Sequence, residues 1–185
     1  FCYTIAYKEA GTLKGKHLLS IADLACEEVS EMVQRALAMK RGSAPAALRG
    51  KTVALLFEKP SLRTRVSFEV GIRQLGGEGI YLSFDDVGMG VREPVADVAR
   101  VLDRWVDAIV ARVYSHVTLE LLAKNTTVPV VNALSDLEHP VQAMADLLTI
   151  HQHRGGLRGQ SVAYIGDGNN VAASLALACA SVGAD

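Results

Sequence analysis

Short apolar segments alternate with helix-patterned segments along most of this chain, and this alternation constrains the fold more than any other feature. One apolar segment is Thr52 to Phe57, and the apolar residues that follow it recur at helical spacing. Such alternation is typical of a parallel sheet, because parallel strands need a crossover connection that is usually a helix. We predict an α/β fold with a parallel sheet, helices on both of its faces, and ligands at the carboxyl ends of the strands. The predicted strands are 52–57, 79–83, 108–113, 128–134 and 161–165, and the predicted helices are 29–37, 61–75, 95–106, 119–124, a segment that begins at Pro140, and 171–182.

The turn after the first of these strands, Ser61 to Arg65, combines two hydroxyls with two guanidinium groups. The first N–H groups of a helix lack intrahelical acceptors and lie at the positive end of its dipole, so they favour an anion. Arginine adds a planar fork that binds two phosphate oxygens at once. For a lone Ser-x-x-Thr start, an ordinary capped helix with solvated arginines is the simpler interpretation. Four phosphate-compatible side chains within five positions instead indicate a phosphate site.

Two further polar residues, Arg112 and His139, fall at the carboxyl ends of predicted strands. Arg112 interrupts an apolar strand, where a charge needs a partner to offset its desolvation. A bound phosphate or carbonyl is one such partner, and an ordinary edge-strand arginine is the alternative. His139 precedes Pro140, so it either caps a helix or acts together with Gln142, one helical turn later, on one small planar group.

The composition argues against several classes of protein. The 185 residues are 50% hydrophobic and 21% charged with a net charge of −1, which allows a core and gives no basic excess for nucleic acid. No apolar stretch reaches the roughly 18 residues that span a bilayer, and the first ten residues lack a signal-like region. We therefore expect a cytoplasmic protein without a membrane partner. Cys2, Cys26 and Cys179 have neither disulfide nor zinc spacing, and we expect free thiols, with the latter two buried.

Four motifs in a fixed order resemble those of the aspartate/ornithine carbamoyltransferases. They are Ser61-x-Arg-Thr-Arg65, Arg112 within Ala-Arg-Val-Tyr, His139-Pro-Val-Gln142, and Gly166-Asp-Gly-Asn-Asn170. The resemblance runs from about Leu13 to the last residue and covers only part of the family's length. It implies a carbamoyltransferase-type fold with the beginning of a second α/β domain, no metal or organic cofactor, and a homotrimer.

The resemblance also implies residue roles. The family's histidine donates to the carbonyl oxygen of carbamoyl phosphate and its glutamine contacts the carbamoyl NH2, which here are His139 and Gln142. Arg112, which touches phosphate and carbonyl in the family, would act with Thr64 and His139 as the catalytic group that stabilises charge on the oxygen under attack. Arg65 has either a binding or a structural role. The implied carbamoyl-phosphate ligands are Ser61, the Leu62 backbone N–H, Arg63, Thr64, Arg112, His139 and Gln142.

The Gly166 to Val171 turn bears on the second substrate. A dinucleotide-binding interpretation is disfavoured because Val171 stands where the third glycine is needed, and a plain glycine turn is the simplest interpretation. In the resembling family, the Asn-Asn pair distinguishes ornithine enzymes from aspartate enzymes, and Asn170 would contact the amino-acid part of ornithine. This implies carbamoyl transfer to the side-chain amine of L-ornithine, giving citrulline and phosphate in arginine biosynthesis. Aspartate or another amine as acceptor, a non-catalytic phosphate-binding module and a nucleotide-binding domain are the alternatives.

The glycine-rich turn at 154–159 predicts a domain boundary. Residues 13–154 would form the carbamoyl-phosphate-binding domain and 155–185 the start of the ornithine-binding domain. Because one strand–helix unit cannot cover its own apolar faces, we expect it to pack on the first domain or to belong to a longer protein. The family's Ser-Met-Gly and His-Cys-Leu-Pro motifs do not occur, so we do not expect efficient catalysis by the chain alone. Within 85–93, Gly88 stands where many relatives carry a polar residue that reaches a neighbouring subunit, and Arg92 is the candidate replacement.

Overall fold

A computed structural model describes residues 15–42 and 46–185, and its centre is a sheet of four parallel strands. The strands lie in the order β2-β1-β3-β4, and they are β1 (Thr52–Phe57), β2 (Glu78–Ser83), β3 (Ala108–Arg112) and β4 (Val130–Leu134). The helices are α1 (Cys26–Lys40), α2 (Leu62–Gln74), α3 (Phe84–Val87), α4 (Val95–Trp105), α5 (His116–Lys124), α6 (Pro140–Arg154) and α7 (Asn170–Val182), with a 3-10 helix at Ile21–Asp23. The predicted α/β fold with a parallel sheet is confirmed.

The sheet is covered on both faces, as predicted, because the central strands are apolar on both sides. On β1, Val53, Leu55 and Phe57 face the helices α1, α2, α6 and α7, whereas Ala54 and Leu56 face α4 and α5. Side chains of a strand alternate between faces, so five consecutive buried positions fill two separate cores. The buried strand β1 therefore holds the start of α2 in a fixed place at the carboxyl edge of the sheet.

Several helices and strands begin or end a few residues away from the predicted positions. The last strand begins at Val130 rather than at 128, since Pro129 has no N–H to donate to a ladder. Helix α5 begins at His116, three residues before the predicted start. Helix α6 has Pro140 at its first position and ends at Gly155, whose φ of 76° is the left-handed conformation that glycine tolerates.

The predicted strand at 161–165 is wrong. No strand of the described chain pairs with this segment, and the Ile165 side chain is 96% exposed. The Val162 N–H donates to the carbonyl of Asp185 over 2.6 Å, so the segment meets the residue after α7's turn rather than a neighbouring strand. An apolar, β-prone sequence becomes a strand only where another strand offers a ladder. Helix α7 itself packs against α1 and α6.

The cysteine predictions are partly confirmed. Cys179 is a buried free thiol, but Cys26 is exposed because it lines an open cavity between α1 and the carboxyl ends of α6 and α7. Cys2 lies outside the described residues, as does the start of the proposed domain at Leu13. None of the described helices is long and apolar enough to cross a membrane.

Candidate functional site

Three neighbouring parallel strands deliver the predicted site residues to one edge of the sheet. In the register, Phe57 at the end of β1 lies beside Arg112 at the end of β3, and Arg112 lies beside Leu134 at the end of β4. The Glu58 N–H donates to the Arg112 carbonyl over 2.9 Å, which continues the pairing into the loop before α2. Arg112 and the starts of the loops that carry Ser61 and His139 therefore lie side by side.

Ser61 and Thr64 form the first turn of α2. Ser61 is the N-cap residue, and its hydroxyl accepts from the Thr64 N–H over 3.3 Å. The same hydroxyl donates to the Thr64 Oγ1 over 3.0 Å, and the Arg112 Nη1 donates to that oxygen over 3.3 Å. Because the Thr64 oxygen accepts twice within the protein, its own hydrogen is left to donate to another acceptor at this edge.

Arg112 places a buried positive charge at the site. It is only 9% exposed, and its Nε is buried with no hydrogen-bond acceptor among the described residues. Burial lowers the pKa of its guanidinium, since the charged form loses hydration. No salt bridge joins Arg112 to an acidic residue in the described part of the chain. A buried cation with an unused donor is favourable when an anion or a carbonyl oxygen supplies the acceptor.

His139 lies in the loop beside this arginine as the N-cap residue of α6. It is 7% exposed, and burial, together with the charge of Arg112, lowers its pKa to about 4. The imidazole is therefore neutral at neutral pH, and a neutral imidazole still donates one N–H. This combination suits a hydrogen bond to a carbonyl oxygen that gains negative charge during a reaction.

Gln142 follows one turn into α6, as its spacing predicted. Its side-chain amide donates to the Asp146 carboxylate over 2.9 Å, so the amide points along α6 in this structure. Burial raises the pKa of Asp146, and the hydrogen bond from Gln142 opposes that shift. The joint action of Gln142 with His139 on one group stays a prediction.

The remaining residues of the Ser61 motif differ in their surroundings. Leu62 and Arg63 occupy the first two positions of α2, and both side chains are exposed. Arg63 forms no hydrogen bond or ion pair with the residues that the structure describes, whereas Arg65 pairs with Glu69 at 2.9 Å and lies 3.6 Å from the centre of the Tyr81 ring. Arg65 thus has structural partners within α2 and β2, and Arg63 does not.

The glycine turn before α7 reaches the same edge through Asn170. Asn169 is the N-cap residue of α7, where its side chain accepts from the N–H groups of Val171 and Ala172. The Asn170 side-chain amide donates to the Ser135 carbonyl over 2.6 Å. Asn170 is therefore hydrogen-bonded to the loop that leads from β4 to His139.

Sequence reasoning missed two buried polar residues next to His139. Glu138 and Ser174 are 7% and 0% exposed, and they are joined by a hydrogen bond of 3.0 Å. The position of Glu138 directly before the His-Pro pair was a signal that could have drawn attention to it. Nothing in the sequence near Ser174 indicated its contact. Among the described residues, no cluster of His, Cys, Asp and Glu has the arrangement of a metal site.

Comparison with known proteins identifies the family of the chain. Residues 16–152 match the family model described as the aspartate/ornithine carbamoyltransferase, carbamoyl-P binding domain. Ornithine carbamoyltransferase from Anoxybacillus flavithermus is 51% identical over 175 residues, covering 92% of this chain and 56% of the relative. The anabolic ornithine carbamoyltransferase of Pyrococcus furiosus is 49% identical over 178 residues, covering 94% of this chain and 56% of the relative.

Solved structures give the same result. The ornithine carbamoyltransferase of Pyrococcus furiosus superposes with a TM-score of 0.90 at 48% identity and covers 95% of this chain and 57% of that one. The enzyme of that name from Thermus thermophilus gives a TM-score of 0.87 at 49% identity, covering 91% of this chain and 59% of that one. The chain spans about half the length of the curated relatives that it matches. On this similarity of sequence and structure, the chain belongs to the aspartate/ornithine carbamoyltransferase family.

Proposed function

We propose that this chain carries the carbamoyl-phosphate site of an ornithine carbamoyltransferase. The proposed reaction transfers a carbamoyl group from carbamoyl phosphate to the side-chain amine of L-ornithine and gives citrulline and phosphate, in arginine biosynthesis. The buried guanidinium of Arg112 carries the proposal, because its Nε is a buried donor that the described residues leave without an acceptor. The first turn of α2 beside it adds backbone N–H groups and hydroxyls that suit the same anion.

The phosphate would be held from two sides. On one side is the first turn of α2, with the Leu62 N–H and the free hydrogen of the Thr64 hydroxyl. The Ser61 hydroxyl would join them after turning its hydrogen away from Thr64. On the other is Arg112, and the exposed Arg63 closes over the anion from the solvent side. Arginines and helix N-terminal N–H groups are the usual means by which proteins bind phosphate.

The carbonyl group would lie between Arg112, Thr64 and His139. The amine nitrogen of the acceptor attacks the carbonyl carbon, and the carbonyl oxygen gains negative charge in the tetrahedral intermediate. Donors already in place around that oxygen lower the barrier without reorganising. The C–O bond to phosphate then breaks, the electron pair leaves with phosphate, and the phosphate takes the proton that the amine loses. Gln142 would bind the carbamoyl NH2 after turning from Asp146. No cofactor is required, because carbamoyl phosphate is already activated.

Ornithine as the acceptor rests on two supports. The relatives named above are called ornithine carbamoyltransferases, and Asn170 is attached to the loop before His139. We propose that Asn170 contacts the amino-acid part of ornithine. We also propose that residues 13–154 form the carbamoyl-phosphate domain and that 155–185 begin the acceptor domain. Aspartate or another amine is the alternative acceptor.

A homotrimer in the cytoplasm is the proposed assembly and location. Helix α2 exposes Leu62, Val66 and Val70 at four-residue spacing, which forms an apolar stripe on its outer side. Exposed apolar stripes of this kind commonly mark protein–protein contacts. A second copy of the chain is the proposed occupant. The net charge of −1 gives no reason to propose a nucleic-acid partner.

Calorimetric titration of carbamoyl phosphate into the folded chain tests the proposal. We expect saturable binding that Arg112→Ala abolishes and that Arg100→Ala leaves unchanged, since Arg100 pairs with Asp97 on the surface of α4. Equal affinity for carbamoyl phosphate and inorganic phosphate would favour a non-catalytic anion-binding module. Binding that survives Arg112→Ala would contradict the proposed site.

A further inference from the structure

A buried carboxylate, that of Glu138, directly precedes His139 in the loop between β4 and α6. Glu138 is 7% exposed, and its side chain accepts from the Ser20 hydroxyl, from the Ile21 N–H over 3.2 Å and from the Ser174 hydroxyl over 3.0 Å. All three donors are neutral, and no salt bridge of Glu138 occurs within the described residues. The three donors come from two distant parts of the chain, the segment of the 3-10 helix and α7.

Ser174 links Glu138 to His139 through two hydrogen bonds. The His139 backbone N–H donates to the Ser174 Oγ over 2.8 Å, and Ser174 is fully buried. A serine hydroxyl has one hydrogen to donate and lone pairs to accept with. Because a carboxylate only accepts, Glu138 obliges Ser174 to donate to it, and this orients the Ser174 lone pairs toward the His139 N–H.

The affected N–H belongs to a residue with an unusual backbone position. His139 is the N-cap residue of α6, with φ of −134° and ψ of 68°, so its conformation is not fixed by helical hydrogen bonds of its own N–H. The contact with Ser174 restrains the N–H side of His139, while the Gln142 and Ala143 N–H groups donate to its carbonyl over 3.0 and 3.2 Å. The backbone conformation limits the rotamers that the imidazole can adopt.

We propose that Glu138 and Ser174 are positioning residues, which hold His139 where its imidazole meets the carbonyl of carbamoyl phosphate. This inference rests on the proposed function, since it requires His139 to contact that carbonyl. It also makes the placement of His139 depend on α7, which lies beyond the boundary proposed at residue 154. Neither residue touches the substrate.

Ser174→Ala removes the bridge with little change in volume, and Ser181→Ala is the matched control. Ser181 lies on the same helix and donates to the Leu177 carbonyl, away from the loop. We expect Ser174→Ala to weaken carbamoyl phosphate binding about tenfold, whereas the affinity for inorganic phosphate changes less than about twofold. A purely structural defect would weaken both ligands alike, and that result would overturn the proposal. Glu138→Gln, whose amide oxygen still accepts, should retain most of the carbamoyl phosphate affinity that Glu138→Leu loses.

A His139→Ala variant distinguishes the proposed contact of His139 with the carbonyl from the proposed positioning role of Ser174. If His139→Ala leaves the ratio of the two affinities unchanged, the proposed role of His139 fails. If His139→Ala changes the ratio and Ser174→Ala does not, only the positioning role fails.

Hydrogen exchange provides a measurement that needs no ligand. We expect the His139 amide hydrogen to exchange at least about tenfold faster in Ser174→Ala than in Ser181→Ala, while the amides of the central strands keep their protection. An unchanged exchange rate at His139 would overturn the proposal whatever the chain binds.

Discussion

The guanidinium of Arg112 donates to the hydroxyl of Thr64 over 3.3 Å, although the two residues lie 48 positions apart in the sequence. The contact joins the end of β3 to the first turn of α2, the two elements on which the proposed phosphate site is built. Ser61 also donates to the Thr64 hydroxyl. The Thr64 oxygen therefore holds the N-cap residue Ser61 and the buried guanidinium of Arg112 in place relative to each other.

Thr64→Val tests this arrangement, because valine keeps the shape of threonine and removes the hydroxyl. We expect carbamoyl phosphate affinity to fall about tenfold or more, as both a ligand donor and an acceptor for Arg112 are lost. Calorimetry measures the change. Thr149→Val is the control, since Thr149 is exposed on α6 and its hydroxyl donates to the Ala145 carbonyl within that helix. Equal effects of the two substitutions would contradict the assigned role of Thr64.

His139 should make the folded state sensitive to mild acid. Its pKa is about 4 in the folded chain and 6.5 as the ordinary value, so between these limits the unfolded chain binds more protons than the folded one. Stability should therefore fall as pH decreases through this window, by roughly 2 to 3 kcal/mol between pH 7 and about pH 4.5.

Urea unfolding at several pH values measures the contribution of His139. His139→Gln should flatten the pH dependence in this window, whereas substitution of the exposed His153 should not. Asp103, whose pKa is lowered to about 2 by hydrogen bonds from Thr126 and Thr127, loses its stabilising contribution only in stronger acid, between its ordinary pKa and 2. An unaltered slope in His139→Gln would contradict the burial of a neutral imidazole.

Arg63 and Arg65 should separate into a binding and a structural arginine. Arg63→Ala should leave the thermal midpoint unchanged and weaken carbamoyl phosphate binding about tenfold, because Arg63 has no partner among the described residues. Arg65→Ala should lower the thermal midpoint, because it removes the ion pair with Glu69 and the stacking on Tyr81. Calorimetry and thermal unfolding on both variants check this, and the reverse pattern would show that the roles are exchanged.

Gly88 should not tolerate a side chain in the conformation seen here. Its φ is 63°, and an added Cβ would lie 2.8 Å from the Cβ of Arg92. Gly88→Ala should therefore reduce the free energy of unfolding by more than the about 1 to 2 kcal/mol of the left-handed backbone alone. Gly90→Ala is the matched control, since Gly90 has φ of 78° and open space around it. Equal losses in urea unfolding would show that the Arg92 contact does not matter.

The sequence was most informative where local patterns decide structure. The apolar run at β1 and the cap at Ser61 predicted a strand end and a helix start, and parallel topology then brought Arg112 and His139 to the same edge. The segment at 161–165 was mispredicted, because whether a β-prone segment becomes a strand depends on a neighbouring strand.

Long-range polar contacts were beyond the reach of sequence patterns. The Glu138–Ser174 hydrogen bond spans 36 positions, and neither residue stands in a spacing that predicts a partner. The hydrogen bond from Gln142 to Asp146 was within reach, since the two residues are four apart on α6. This hydrogen bond competes with the predicted contact of Gln142 with the carbamoyl group. The sequence does not specify which of the two partners the Gln142 side chain meets.

Carbamoyl phosphate is proposed to bind where the first turn of α2 meets Arg112 and His139. A titration of carbamoyl phosphate followed by amide chemical shifts in nuclear magnetic resonance tests it most directly. We expect the largest saturable shifts at the N–H groups of Leu62, Arg63 and Thr64, with smaller ones at His139. The largest shifts at any other part of the chain, or saturable binding with no shift in the first turn of α2, would contradict it.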